Sequence, residues 1–300
     1  MNTSAPVPAP TTASATVSLY PPDGPQSIAE VLDTAFRVFK VSLVRCLLFG
    51  AMAMIAGQLP NIYSLAIGEP FGAYLHGEPV TIALAAIGSV LAVYFSGVML
   101  IRQRDMAQGG RQTTRAELAH GLRRLPALVG VAAASLFLPA ILPLLATWIP
   151  SGVFAAPKEA GLGIGVALAI LVVPVLWLLP GLAMAVAIAV LTPSGMIASL
   201  KQGLSLAYGN WWRTMITFVV WGVLLAVLNL VAVILLMMAL PLLGAQDVIT
   251  LSAITPVVFI ALRAIGLPFL VAILLAVYGE LQVRKHGVDL ERRVASVAQA

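Results

Sequence analysis

Polar residues inside otherwise apolar stretches are the positions at which this sequence could do chemistry. Polar side chains are costly in lipid and usually face the interior of a helical bundle. Gln58 and Asn61 lie one helical turn apart in the outer half of the first apolar segment, and Asn229 lies near the middle of the fifth. Arg263 lies within the sixth. These four residues form the predicted intramembrane polar site.

Arg263 has two open placements. A buried arginine at mid-membrane costs about 2.5–3.5 kcal/mol on insertion scales. It would then need a partner among Asn61, Gln58, Glu69 and Glu78. In the second placement, which we prefer, Arg263 lies at the outer interface and residues 251–262 lie in the membrane plane.

No catalytic constellation is found in the sequence. The three histidines fall in different segments, and no His, Cys or carboxylate set has the spacing of metal ligands. A glycine-rich run at 161–165 opens an apolar segment and lacks the strand that a dinucleotide fingerprint needs. We therefore predict a non-enzymatic protein with no catalytic residue, no metal and no cofactor. The single cysteine, Cys46, excludes an intrachain disulfide.

The composition points to lipid as the solvent. Hydrophobic residues make up 60% of the 300 residues and charged residues 10%, against about 25% in a soluble domain. Each stretch of about 20 apolar residues must be helical, because lipid leaves no other partner for the backbone. We predict an all-α polytopic membrane protein with six transmembrane helices, within residues 42–66, 79–101, 126–149, 162–191, 214–243 and 256–278.

Basic residues set the predicted orientation. Fifteen of the 17 lysines and arginines fall in segments on one side of the six spans, and only Lys158 and Arg263 fall elsewhere. Under the positive-inside rule that side is cytoplasmic, so both termini are predicted to be cytoplasmic. The excess of positive charge suits the anionic inner leaflet, and no nucleic-acid partner is expected.

Three segments on the basic side have helical patterns. Residues 27–39 begin with a capping box, Ser27 with Glu30, carry an apolar face and form an Asp33–Arg37 pair. Residues 114–124 and 198–208 align with them at spacings of 87 and 82 residues. We expect three repeats of an in-plane amphipathic helix followed by a transmembrane hairpin.

The third in-plane helix is predicted to start at Thr192 and Pro193 and to end near Gly209. Aromatic and cationic residues then mark the membrane interface. The predicted interface anchors are Trp211, Trp212, Arg213, Arg284 and Lys285.

Domain boundaries follow from composition. Residues 1–25 are rich in Pro, Ala, Ser and Thr with one charge, and lack the pattern of a signal peptide. We expect a disordered cytoplasmic tail at 1–25, a six-span membrane domain at 26–290 and a cytoplasmic C-terminal tail at 291–300.

Two stretches resemble a known family. Residues 278–291 read YGELQVRKHGVDLE and residues 198–213 read ASLKQGLSLAYGNWWR. They look like segments of uncharacterised bacterial multi-pass membrane proteins, which are similar to the membrane domain of some glycerophosphoryl diester phosphodiesterases. The sequence departs from that pattern at Gln282, where arginine is usual, and at 191–193, which lack a common acidic residue. The resemblance implies a multi-span domain in a bacterial inner membrane, and it carries over no catalytic residues.

Two functions are compatible with these patterns. The first is a non-enzymatic scaffold, a membrane-organising or lipid-interacting protein whose partners are membrane lipids and other membrane proteins. The second is a transporter or lipid-handling protein with an intramembrane polar cavity. The sequence predicts neither a substrate nor an oligomeric state.

Overall fold

The computed structural model describes residues 19–22, 24–68, 78–110, 112–146, 160–242, 248–287 and 294. Within these ranges the chain forms eight α-helices and no strand, which confirms the all-helical prediction. The helices are α1 (Ile28–Gly57), α2 (Leu59–Ala66), α3 (Pro79–Ala107), α4 (Thr114–Ala146), α5 (Ala160–Leu191), α6 (Met196–Ala207), α7 (Trp211–Leu242) and α8 (Val248–His286).

Four helices are long and apolar enough to cross a membrane. They cover Ile28–Gly57, Pro79–Ala107, Trp211–Leu235 and Ile260–Lys285, and a shorter apolar helix covers Val175–Leu191. Four of the six predicted spans therefore have the required length and composition. The predicted third and fourth spans fall in α4 and α5, where many side chains lie outside the described residues.

The start of α1 follows from its sequence. Ser27 is the N-cap, its hydroxyl accepts from the Glu30 amide, and the Glu30 carboxylate accepts from the Ser27 amide. Asp33 and Arg37 form the predicted ion pair at 2.7 Å. The predicted capping box and helical pair are confirmed.

The structure differs from the prediction in joining residues 27–39 to the first span. No glycine or proline separates them, and the buried face continues through Val38, Ser42 and Cys46 without a change of phase. The helix therefore continues to Gly57. A short second helix, α2, then begins with proline in its first turn. The second predicted in-plane helix, residues 114–124, is likewise not separate, because it continues into the predicted third span within α4.

Small residues bring α1 close to its neighbours. A Cβ placed on Gly50 would lie 2.5 Å from the Ala264 carbonyl oxygen of α8. A Cβ on Gly88 of α3 would overlap the Ala56 carbonyl oxygen of α1. These neighbours are backbone atoms and cannot move aside as a side chain can. The close contacts of α1 with α8 and α3 therefore require glycine at positions 50 and 88.

Helix α7 lies at the edge of the bundle. None of the residues in its most apolar 18-residue window is buried. Val223, Val227 and Leu230 are among its large apolar side chains that are more than half exposed. An apolar helix of this kind is typical of one that faces lipid.

Helices α6 and α8 correct two further expectations. The N-cap of α6 is Gly195, whereas the Thr192 hydroxyl donates to the Ile188 carbonyl at the end of α5. Gly209 has a φ of +86°, which fits the predicted left-handed end. Helix α8 runs through residues 251–262 without a break. Those residues therefore do not form a separate helix.

Residues 19–22 pack against the helices, inside the segment for which the sequence predicts disorder. The Leu19 amide donates to the Ala107 carbonyl at 2.8 Å. The Tyr20 ring is buried, and a Cβ on Gly279 of α8 would lie 2.6 Å from it. Residues 1–18, 288–293 and 295–300 lie outside the described residues.

Candidate functional site

Two members of the predicted polar site are brought together. The Asn61 amide donates to the Gln58 side-chain oxygen at 2.6 Å, and Asn61 is buried. Gln58 lies between α1 and α2. The Asn229 amide instead donates to the Leu225 carbonyl of its own helix at 2.7 Å. That bond satisfies one polar group of Asn229 within α7.

Arg263 lies on an exposed position of α8. It precedes Glu280 by 17 residues on the same helix, a distance of about 26 Å. A hydrocarbon core is about 30 Å thick. If Glu280 lies near one boundary of the core, Arg263 lies near the other, as in the interfacial placement.

Gln103 is a buried polar residue that the sequence analysis did not single out. Its amide nitrogen donates to the Pro268 carbonyl of α8 at 2.8 Å, and its side-chain oxygen is buried without a partner. Gln103 lies between two arginines, so the sequence suggests an exposed position. Its burial follows from the packing of α3 against α8, which is a tertiary effect.

One end of the bundle collects cationic residues, and we call it the basic end. Arg102 near the end of α3 lies 2.8 Å from the Glu117 carboxylate of α4 and also donates to Thr114. Its guanidinium lies 4.5 Å from the centre of the Phe49 ring and donates to the Arg45 carbonyl of α1. Arg102 therefore connects α1, α3 and α4.

A second ion cluster lies at the same end. The Glu280 carboxylate is buried, pairs with Arg284 one turn along α8, and lies 3.3 Å from Arg213 of α7. Arg213 and Arg284 both donate to the Gln26 carbonyl just before α1, at 2.6 and 3.0 Å. The predicted interface anchors Arg213 and Arg284 thus hold α1, α7 and α8 together.

The other predicted anchors lie around α6. The Trp211 indole donates to the Trp177 carbonyl of α5 at 2.9 Å, while Trp212 is 71% exposed. The Lys285 amine donates to the Ser205 carbonyl of α6. These contacts bring α5, α6, α7 and the end of α8 together.

Two clefts with charged and polar side chains in their walls open at the basic end, and we call them the polar clefts. The first has a volume of about 510 Å³ and lies between α5, α6 and α8, with Lys201 and Gln202 in its wall. The second is about 250 Å³ and includes Arg104 and Tyr278. Gln282 lies in the walls of both clefts, so the two clefts are neighbours.

An apolar groove of about 370 Å³ lies on the other side of α6. Trp177, Leu204, Tyr208 and Trp211 line it, and Ser205 is shared with the larger polar cleft. Aromatic side chains with apolar rings and polar edges are typical of membrane interfaces. The region around α6 is therefore apolar on one side and polar on the other.

In the ranges that the structure describes, no group of three or more His, Cys, Asp or Glu side chains could hold a metal ion. The thiol of Cys46 is buried in α1.

The chain was compared with known proteins in three ways. No family model, no curated protein and no solved structure matches it. The family resemblance of residues 198–213 and 278–291 therefore stays a prediction from the sequence.

Proposed function

We propose that the chain is a six-span protein of a bacterial inner membrane, built from three units of a leading helix and a transmembrane hairpin. The hairpins would be α1 with α3, α4 with α5, and α7 with α8. The resemblance to bacterial multi-pass membrane proteins supports this proposal. Both termini would then lie on the cytoplasmic side, with the basic end.

Burial of aligned positions supports the repeat. Glu117 and Gly121 of the second leading segment align with Ser199 and Gly203 of the third, and all four are buried. In the first leading segment the buried residues are shifted by one position, to Val31 and Ala35. The second and third units therefore agree more closely than either agrees with the first.

Packing of the leading segments also supports the repeat. A Cβ on Gly121 would meet Val98 of α3, and one on Gly203 would meet Ala185 of α5. In the first unit, Phe36 contacts Phe269 of α8 with ring centres 4.6 Å apart. In the proposed repeat, each leading segment would pack on the last span of another unit, and the three units would close into a ring.

We propose a non-enzymatic, lipid-interacting and membrane-organising role. The observation that carries it is the charge of the basic end. Arg37, Arg102, Arg213 and Arg284 have carboxylate partners, whereas Arg104, Lys201 and Lys285 form no ion pair among the described residues. That excess positive charge would lie at the level of an anionic leaflet.

Thermal unfolding in nanodiscs tests this role. The protein is expected to unfold at a higher temperature in phosphatidylglycerol than in phosphatidylcholine of the same chain length. The difference should shrink at about 1 M salt, where the Debye length is about 3 Å. Equal unfolding temperatures in the two lipids would contradict a lipid-interacting role.

A transporter is the alternative, and two observations favour it. Gln58 and Asn61 form a hydrogen-bonded polar pair, and Gln103 has a buried oxygen without a partner. A transport path would expose such groups to water. Gln103→Cys in a Cys46→Ala background should react with a small hydrophilic thiol reagent if a path reaches it, and should be protected if the helices pack closely.

A further inference from the structure

The surroundings of α6 combine three features in one place. The larger polar cleft lies between the other two: it shares the wall residue Gln282 with the smaller polar cleft and Ser205 with the apolar groove. The larger cleft and the groove lie within the range of 300–1,000 Å³ that is usual for ligand sites. A ligand that filled them would need one polar and one apolar part.

The polar part of this site has unneutralised positive charge. Arg104 donates to the Leu191 carbonyl at 3.3 Å, and its Nε is buried without a partner. Lys201 lines the larger cleft, and Lys285 lies beside it, donating to the carbonyl of the wall residue Ser205. Among the described residues none of the three forms an ion pair. An anion with several acceptor oxygens would match these donors.

Other cations at the basic end differ in their surroundings. Arg102 is matched by Glu117, and Arg213 and Arg284 share Glu280. Arg115 is exposed on the first turn of α4, away from the residues that line the clefts. Two properties together distinguish the region around α6: it is concave, and among the described residues its cations have no carboxylate partner.

The apolar groove identifies the second part of the ligand. Its wall contains the aromatic side chains Trp177, Tyr208 and Trp211. Gly203 brings α6 into backbone contact with α5 at Gly181, which lines the groove. A flexible hydrocarbon chain fits a narrow apolar groove at a membrane interface.

We propose that this composite site binds one anionic glycerophospholipid. Its phosphate is held by Lys201, Lys285 and Arg104. One of its acyl chains lies along the apolar groove. The proposal rests on the proposed lipid-interacting function and names the lipid class and the place. Basic pockets between helices on the cytoplasmic side are known to take phosphorylated headgroups.

Native mass spectrometry of the full-length protein in neutral detergent tests the site. Titration with phosphatidylglycerol is expected to give one tightly held lipid, and phosphatidylcholine of the same chain length much weaker binding. Lys201→Gln should weaken phosphatidylglycerol binding about five- to tenfold. Arg115→Gln, the matched control at the same end, should change it less than twofold. Lys201 is exposed, so its replacement should not disturb folding.

The acyl-chain part is tested separately. Tyr208→Ala should weaken the binding of both lipids and keep the preference for phosphatidylglycerol, because Tyr208 lines the apolar groove and neither polar cleft. An unchanged affinity of Tyr208→Ala would overturn the placement of the chain.

Inorganic phosphate separates a lipid from a free anion. Millimolar phosphate should not displace the bound phosphatidylglycerol, and displacement would show a free-phosphate site and overturn the proposal. Equal losses in Lys201→Gln and Arg115→Gln would show general surface attraction, which overturns this site but leaves a lipid-interacting protein. If the unaltered protein bound phosphatidylglycerol and phosphatidylcholine equally, both this site and the lipid-interacting function would be overturned.

Discussion

The Arg102–Glu117 ion pair shows how much a single residue contributes at the basic end. The side chains of Arg102 and Glu117 are 13% and 3% exposed, whereas those of Arg37 and Asp33 are 63% and 57% exposed. A buried charge that loses its partner is destabilising by about 3–5 kcal/mol. An exposed pair one turn apart contributes about 0.3–0.5 kcal/mol. The two pairs should therefore respond very differently to neutralisation.

We predict that Glu117→Gln lowers the free energy of unfolding by about 3 kcal/mol, because Arg102 stays buried without a counter-charge. Asp33→Asn is the matched control and should lower it by less than about 0.5 kcal/mol. Chemical unfolding in detergent, followed by circular dichroism, measures both. Similar losses in the two variants would show that the Arg102–Glu117 pair is hydrated in solution.

Individual polar residues were predictable only where their neighbours lie nearby in sequence. Gln58 and Asn61 were expected as a pair because three residues bring them to one face, and they form a hydrogen bond. Gln103 was not expected, since its partner Pro268 is 165 residues away. For the cations of the proposed site around α6, the sequence predicted only that they belong to an excess of basic residues on one side of the membrane. Their grouping depends on how α5, α6 and α8 meet.

Elements follow the same division between local and distant causes. The start of α1 was predicted from Ser27 and Glu30, which contact each other across one turn. The continuation of α1 into the first predicted span was not predicted, because the sequence changes there from polar to apolar, and such a change does not by itself break a helix. Helix α6 was predicted as separate, and Gly209 ends it as expected. Its start was misplaced by a few residues because the Thr192 hydroxyl bonds back to α5.

The contact between α5 and α6 depends on Gly203. A Cβ at this position would lie 2.5 Å from the Ala185 nitrogen and 2.6 Å from the Gly181 oxygen. Both atoms are backbone, so the helices would have to separate. Gly222 in α7 has nothing within 4 Å of the same position. The two glycines therefore give a matched pair.

We predict that Gly203→Ala destabilises the protein and increases hydrogen exchange of α6 amides. Gly222→Ala should be neutral or stabilising by up to about 1 kcal/mol, since alanine is the better helix former. Unfolding in detergent and exchange measured by mass spectrometry check both variants. A stabilised Gly203→Ala variant would contradict the close approach of α5 and α6.

At the scale of the whole molecule, the basic end gathers the starts of α1, α4 and α7 and the ends of α3, α5 and α8. Contacts such as Arg104 with Leu191, Arg213 with Glu280 and Lys285 with Ser205 make this grouping. Composition predicted that the basic segments share one side. It could not predict which cations would be neutralised, because that depends on the buried acids Glu117 and Glu280.

The orientation of the whole molecule leads to the last prediction. Cys46 is the single cysteine of the sequence, so a Cys46→Ala background contains no other thiol that could react in single-cysteine labelling. Glu78 immediately precedes the start of α3, and Arg115 lies in the first turn of α4, at the opposite end of the bundle. In intact spheroplasts a membrane-impermeant thiol reagent should label Glu78→Cys but not Arg115→Cys. After the membrane is opened it should label both, because the positive-inside rule predicts that the basic end faces the cytoplasm. Tags at the two termini should both be protected from protease in spheroplasts. Cleavage of one tag would show an odd number of spans, and the reverse labelling pattern would invert the orientation.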